Sequence, residues 1–192
     1  MYENLPFWAA FFDALGCQVV LSGQSSRSLY MKGQHTIPSD TVCYPAKLVH
    51  GHMEELVEQG VDVIFYPCMT YNFDEGIADN CYNCPVVAYY TESIAANVES
   101  VQRTRFLYPH LSLVDETVFV RRIYRILRDV IPGLKKSEVA KGAKAAYAAY
   151  ATYRQDVVEA GQAALAYARE QNKKGIMMAC RPYHVDPEIN HG

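Results

Sequence analysis

The chain opens on YENLPFWAAFFDAL, Tyr2 to Leu15, whose broad apolar face predicts a helix. Gly16 follows at the position that favours a left-handed cap. Cys17 to Leu21 (CQVVL) predicts a short buried strand, and the Ser/Gly-rich SGQSSRS that comes next predicts a loop. A second helix is expected from about Pro45 to Gln59, with proline suiting the first helical turn and Gly60 ending it. Val61 to Tyr66 (VDVIFY) and Val86 to Tyr90 (VVAYY) predict strands, with a polar loop between them. Thr91 to Ser100 reads as helical, and Thr117 to Val130 as a strongly amphipathic helix whose arginines, Arg121, Arg122, Arg125 and Arg128, line its wet face. The alanine-rich Ser137 to Asn172 predicts a helix about 54 Å long if Gly142 and Gly161 do not split it. Gly175 to Ala179 (GIMMA) predicts a last strand before a polar tail.

Strands alternating with helices predict an α/β fold: a mostly parallel twisted sheet with flanking helices, Rossmann- or flavodoxin-like. The chain starts inside a helix and stops just after a strand, so the segment reads as excised from a longer chain. Residues 1–135 read as an α/β domain, 136–173 as a long helical connector, and 174–192 as the first strand and loop of a truncated second α/β unit. An unpaired apolar strand there predicts self-association.

Length and composition narrow the classes. At 192 residues the chain buries roughly 70% of its unfolded surface on folding and needs no disulfides. Its 18 basic and 21 acidic residues give a net charge of -3, without the basic excess of a phosphate-neutralising nucleic-acid binder. No stretch approaches the ~20 apolar residues of a membrane span, and the first residues lack a signal-peptide pattern. These features predict a cytoplasmic protein with six reduced or metal-binding cysteines. Neither a Walker-type loop nor GxGxxG occurs, so no nucleotide site is expected in this segment.

Four stretches carry candidate chemistry. In Ser39-Asp-Thr-Val-Cys-Tyr-Pro-Ala-Lys-Leu-Val-His-Gly-His52, Cys43 falls just before a helix start, where unpaired N–H groups and the helix dipole favour the thiolate that binds metal. Lys47 lies one turn on, and His50 and His52 diverge around the helix. Cys68 leaves a strand at the carboxyl end, where open α/β sheets place ligands. In Asn80-Cys-Tyr-Asn-Cys-Pro85, Cys81 and Cys84 form a Cys-x-x-Cys pair, compatible with zinc, an iron–sulfur cluster or a redox dithiol, the last disfavoured because the pair precedes a strand. The tail from Cys180 holds Arg181, Tyr183 and His184, groups suited to polar ligands or partner contacts. Each cysteine also has a plain reading as a packed core thiol, and His35 and His110 read as surface residues.

The first of these stretches, Asn-Cys-Pro-Val-Val and the tail Arg-Pro-Tyr-His-Val-Asp-Pro-Glu-Ile-Asn-His-Gly together resemble the 2-hydroxyglutaryl-CoA dehydratase-related proteins. More narrowly, they are similar to the uncharacterised domain of large acyl-CoA dehydratase activase-related proteins of anaerobic bacteria. The resemblance implies an α/β module holding a [4Fe–4S] or related iron–sulfur cluster through three cysteines. Position by position it carries over Cys43 and Cys84, with Cys68 as the plausible second ligand, Cys81 as an extra and Cys180 outside the set. It implies low-potential electron transfer driven by ATP hydrolysis elsewhere, with an ATP-hydrolysing activator module and a dehydratase-like module as partners in the same or another chain. This segment alone is then inactive. The alternative is a non-catalytic scaffold or interaction domain of the same fold, with a structural metal or none. Parallel strands at 61–66 and 86–90 would place Cys68 and Cys84 at opposite ends of the sheet.

Overall fold

A computed structural model describes residues 2–76 and 78–190. Its helices and strands, in chain order, are α1 (Leu5–Ala14), α2 (Arg27–Gly33), α3 (Tyr44–Glu58), β1 (Val63–Phe65), β2 (Cys68–Tyr71), α4 (Pro85–Asn97), β3 (Arg105–Leu107), β4 (His110–Ser112), α5 (Glu116–Leu127) and α6 (Lys136–Glu170), with short 3-10 turns between them. They form two compact units, residues Met1–Val19 with Ser137–His184, and Val20–Lys136 with Val185–Gly192.

In the first unit α1 lies on the N-terminal half of α6. Val139, Gly142, Ala143, Ala146 and Tyr150 recur at helical spacing and are buried, and Phe7 and Phe11 fill the other side, both fully buried. Tyr147 meets Phe7 edge to face at 5.1 Å, a geometry that aligns one ring's positive edge with the other's negative face. Gly142 marks a close approach, since a Cβ there would stand 3.3 Å from the Phe11 carbonyl oxygen. Gly142 and Gly161 do not break α6, which runs unbroken for 35 residues. The Gly16 cap forms as expected, at φ +76°.

The second unit is built on a two-stranded parallel ribbon. Val63, Ile64 and Phe65 pair with Arg105, Phe106 and Leu107, and Cys68 and Met69 pair with His110 and Leu111. Pro67 and Pro109 sit at matching points between the two ladders, and proline has no N–H to give. The neighbouring amides bridge the gap: Tyr66 N–H donates to Leu107 O at 2.8 Å and Cys68 N–H to Pro109 O at 2.9 Å. α4 makes the crossover that a parallel pair requires. Met53, Ile64, Ile94, Val98 and Val101 form the core where α3, β1 and α4 meet. α2 and α3 touch backbone to backbone, because Gly33 and Gly51 leave no room for a Cβ: one at Gly51 would stand 1.9 Å from Leu29 O.

This mixed α/β chain is mostly helical, and the expected Rossmann-like sheet is not found among the described residues. Three predicted strands are corrected. Val86–Tyr90 is the first part of α4: Cys84, extended at φ −63° and ψ 156°, caps the helix, and Pro85 occupies its first turn. A five-residue apolar run carries no period that separates strand from helix, and the burial of Ala88, Thr91 and Ile94 at three-residue spacing is helical. Cys17–Leu21 forms no strand, and Val19, Val20 and Leu21 stay largely exposed. Gly175–Ala179 is likewise unpaired, with Ile176 92% exposed. An apolar run becomes a strand only where a neighbour completes its hydrogen bonds. The SGQSSRS loop also hides the start of α2, where Ser26 Oγ accepts from Leu29 N–H at 3.2 Å. The helix at Thr117–Val130 appears as α5, with Arg121, Arg122, Arg125 and Arg128 exposed as its pattern requires.

Candidate functional site

Cys43 and Cys84 occupy equivalent places. Each is the N-cap of a helix, α3 and α4, with extended backbone (ψ 151° and 156°), a proline in the first turn and no side-chain capping bond. A cap residue's side chain normally accepts from the first-turn amides; here both thiols are left exposed beside a helix N-terminus. Two chain features bring Cys84 round. Tyr82 forms an antiparallel bridge with Tyr71, and Asn83 pins the loop to β2, its N–H donating to Thr70 O at 2.9 Å and its Nδ2 to Met69 O at 2.8 Å. The separation of Cys68 and Cys84 across a sheet therefore does not arise.

Tyr66 is the common neighbour. Desolvation pushes its phenol well above the ordinary range, and Cys68, Tyr90, Cys84 and Cys43 all lie near enough to oppose its ionisation further. Tyr90 is raised too, by burial and then by Cys43. Behind Tyr90 stands His50, fully buried. Its Nε2 meets the Tyr90 hydroxyl at 2.9 Å and its Nδ1 meets Thr36 Oγ1 at 2.7 Å. Thr36 gives its only proton to Gly33 O at 2.8 Å. The threonine must then accept from Nδ1–H, which leaves Nε2 to accept from Tyr90 O–H. Burial, with His35 adding, lowers the His50 pKa to about 4, so the ring is neutral.

The other predicted residues are engaged elsewhere. Lys47 pairs with Asp40 at 3.9 Å. His52 lies between two hydroxyls, Ser22 Oγ at 2.8 Å from Nδ1 and Ser25 Oγ at 3.1 Å from Nε2, and burial lowers its pKa. Cys81 sits in the loop, its carbonyl accepting from Asn72 N–H at 3.0 Å. Cys180, Arg181, Tyr183 and His184 lie in the other unit, in or beside an exposed turn where Arg181 N–H donates to His184 Nδ1 at 3.1 Å. His191 and Gly192, the end of the tail motif, lie outside the described residues.

Cys68 has different company. Its side chain is fully buried and hydrogen-bonded to Thr91 Oγ1. Burial raises the thiol's pKa, the Thr91 bond opposes this, and Glu92 raises it again. Among the described residues, Cys68, Glu92 and His110 are the one group of three metal-ligating side chains whose ligand atoms gather closely, all within 4.8 Å of one another. No trio of cysteines does so among them. His110 and Glu92 were not legible as site residues, because the register that sets His110 beside Cys68 is a long-range property of the ribbon.

Among the described residues, no helix is long and apolar enough to cross a membrane. Comparison with curated proteins and with solved structures finds no significant match. The family model described as CoA enzyme activase uncharacterised domain (DUF2229) matches residues 1–192, the motifs around Cys43, Cys84 and the tail included, and the chain belongs to that family.

Proposed function

We propose that this domain is an iron–sulfur-binding module of a cytoplasmic, ATP-driven, low-potential redox system of CoA enzyme activases, with Cys43 and Cys84 as its ligands. The observation that carries the reading is the pairing of two exposed thiols, each at a helix N-terminus and each bearing on Tyr66. Two helix ends supply positive potential and free N–H groups to anionic thiolates. Iron–sulfur clusters are held by such thiolates, and their potential is tuned by hydrogen bonds to sulfur and by burial. Ligands to different irons of one cluster need not crowd together as ligands of a single ion do, so the donor set fits. Bound there, a cluster supplies one-electron transfer. Tyr66 and Tyr90, phenols beside these cysteines, would keep water from a cluster held there, and His50 fixes the direction of the Tyr90 hydroxyl. The exposed side is left for a partner, an ATP-hydrolysing activator module or a dehydratase-like module, which would complete the coordination.

Anaerobic reconstitution of the chain with iron, sulfide and a small thiol to fill open positions tests the proposal. Near-stoichiometric iron with a sulfur-to-iron charge-transfer band is expected. Zinc alone, or no metal, favours a non-catalytic scaffold.

A further inference from the structure

The structure assigns Cys68, Glu92 and His110 to a second, mononuclear site for a divalent transition metal of the zinc class. The ribbon sets up two ligands directly. Cys68 and His110 are register partners in the parallel pair of β2 and β4, and residues side by side in neighbouring strands project to the same face. α4 covers that face. Thr91 reaches Cys68, and Glu92, the next residue, accepts from His110 Nε2–H at 2.8 Å. The Tyr89 ring, one turn back on α4, lies 6.1 Å from the His110 ring.

The donors are one sulfur, one nitrogen and one oxygen, a set that suits zinc and its neighbours better than calcium or magnesium, which take oxygen. The charges agree: a thiolate and a carboxylate together balance a 2+ ion. Thr91 is placed to hold the sulfur in position, as outer partners of metal ligands do. The side chains of His110 and Glu92 are about half exposed, so three protein ligands face a solvent-accessible fourth position, the arrangement that separates reactive zinc sites from closed structural ones. This site does not depend on the Cys43–Cys84 reading, and it gives Cys68 a role other than cluster ligand.

Cobalt(II) titration of the chain carrying Cys43→Ser and Cys84→Ser, in an anaerobic buffer, tests the site. The expected result is one equivalent bound, with a tetrahedral d–d spectrum and a single-thiolate charge-transfer band, both displaced by Zn²⁺. His110→Ala and Glu92→Gln should each weaken binding at least about tenfold; both positions are exposed, so neither change disturbs the core. Unchanged affinity in both variants, absence of a thiolate band, or no binding overturns the assignment. In the otherwise unaltered chain, His110→Ala should keep the reconstituted iron that Cys43→Ser loses. Loss of iron with His110→Ala would overturn the separation of the two sites.

Discussion

Acid should weaken this fold through one residue in particular, His50. The unfolded chain takes up a proton on this ring near pH 6.5, its ordinary value, whereas the folded ring stays neutral until about pH 4. Between those values the unfolded state binds more protons, so stability falls as pH falls. The slope is at most about 1.4 kcal/mol per pH unit. Over the whole interval that is at most about 3 kcal/mol, so a loss of about 1–3 kcal/mol is expected. His50→Gln removes the titration. At pH 7.5 the variant should be less stable by about 1–3 kcal/mol, since it disturbs a buried imidazole bonded to Thr36 and Tyr90. The deficit should shrink as pH falls toward 4. Urea midpoints for both proteins at pH 7.5, 6 and 5 measure this directly, and groups common to both, His52 among them, cancel in the difference. A deficit that stays constant with pH would refute the reasoning.

Further outcomes follow from the packing. Gly51→Ala forces a Cβ onto the Leu29 carbonyl and should cost at least about 2 kcal/mol in thermal or urea unfolding, whereas Gly161→Ala, in a helix with nothing within 4 Å, should stabilise by about 0.5–1 kcal/mol. Asp115→Ala removes the acceptor of the Val118 N–H bond at 2.8 Å and should cost about 1 kcal/mol by the same measurement. Ile176, Met177 and Met178 are more than 70% exposed, so light scattering should detect self-association that Met177→Lys reduces; equal association in that variant would exclude this segment as the cause.

The parts of the fold written in local signals were legible. α1, α3, α5 and α6 carry helical periodicity over ten or more residues, and Gly16 and Gly60 mark two of their ends. Of the strands, β1 was legible inside the apolar run Val61–Tyr66, whereas β2, β3 and β4 were not. Each of these is three or four residues long, too short for a period to emerge, and Pro67 and Pro109 interrupt the ribbon just where a continuous pattern would have shown it. The misreading of 86–90 hid a signal that was present: Pro85 follows Cys84 as a helix-starting proline, the rule that located Cys43 ahead of Pro45. Cys43 was thus readable as a helix cap from sequence, and Cys84 could have been. Tyr66, Tyr90, Glu92 and His110 could not, because what makes them neighbours of the thiols is the crossing of the ribbon by α4.

The measurement that bears most directly on the account takes metal content and thermal midpoint from the same anaerobically reconstituted sample of Cys43→Ser, with Cys180→Ser as the control. Serine is nearly isosteric and suits a helix cap, and Cys43 is exposed. The account therefore predicts the midpoint of the metal-free parent chain, with the iron and sulfide lost, while Cys180→Ser keeps both. A Cys43→Ser protein that retains its full iron and sulfide would contradict the central claim.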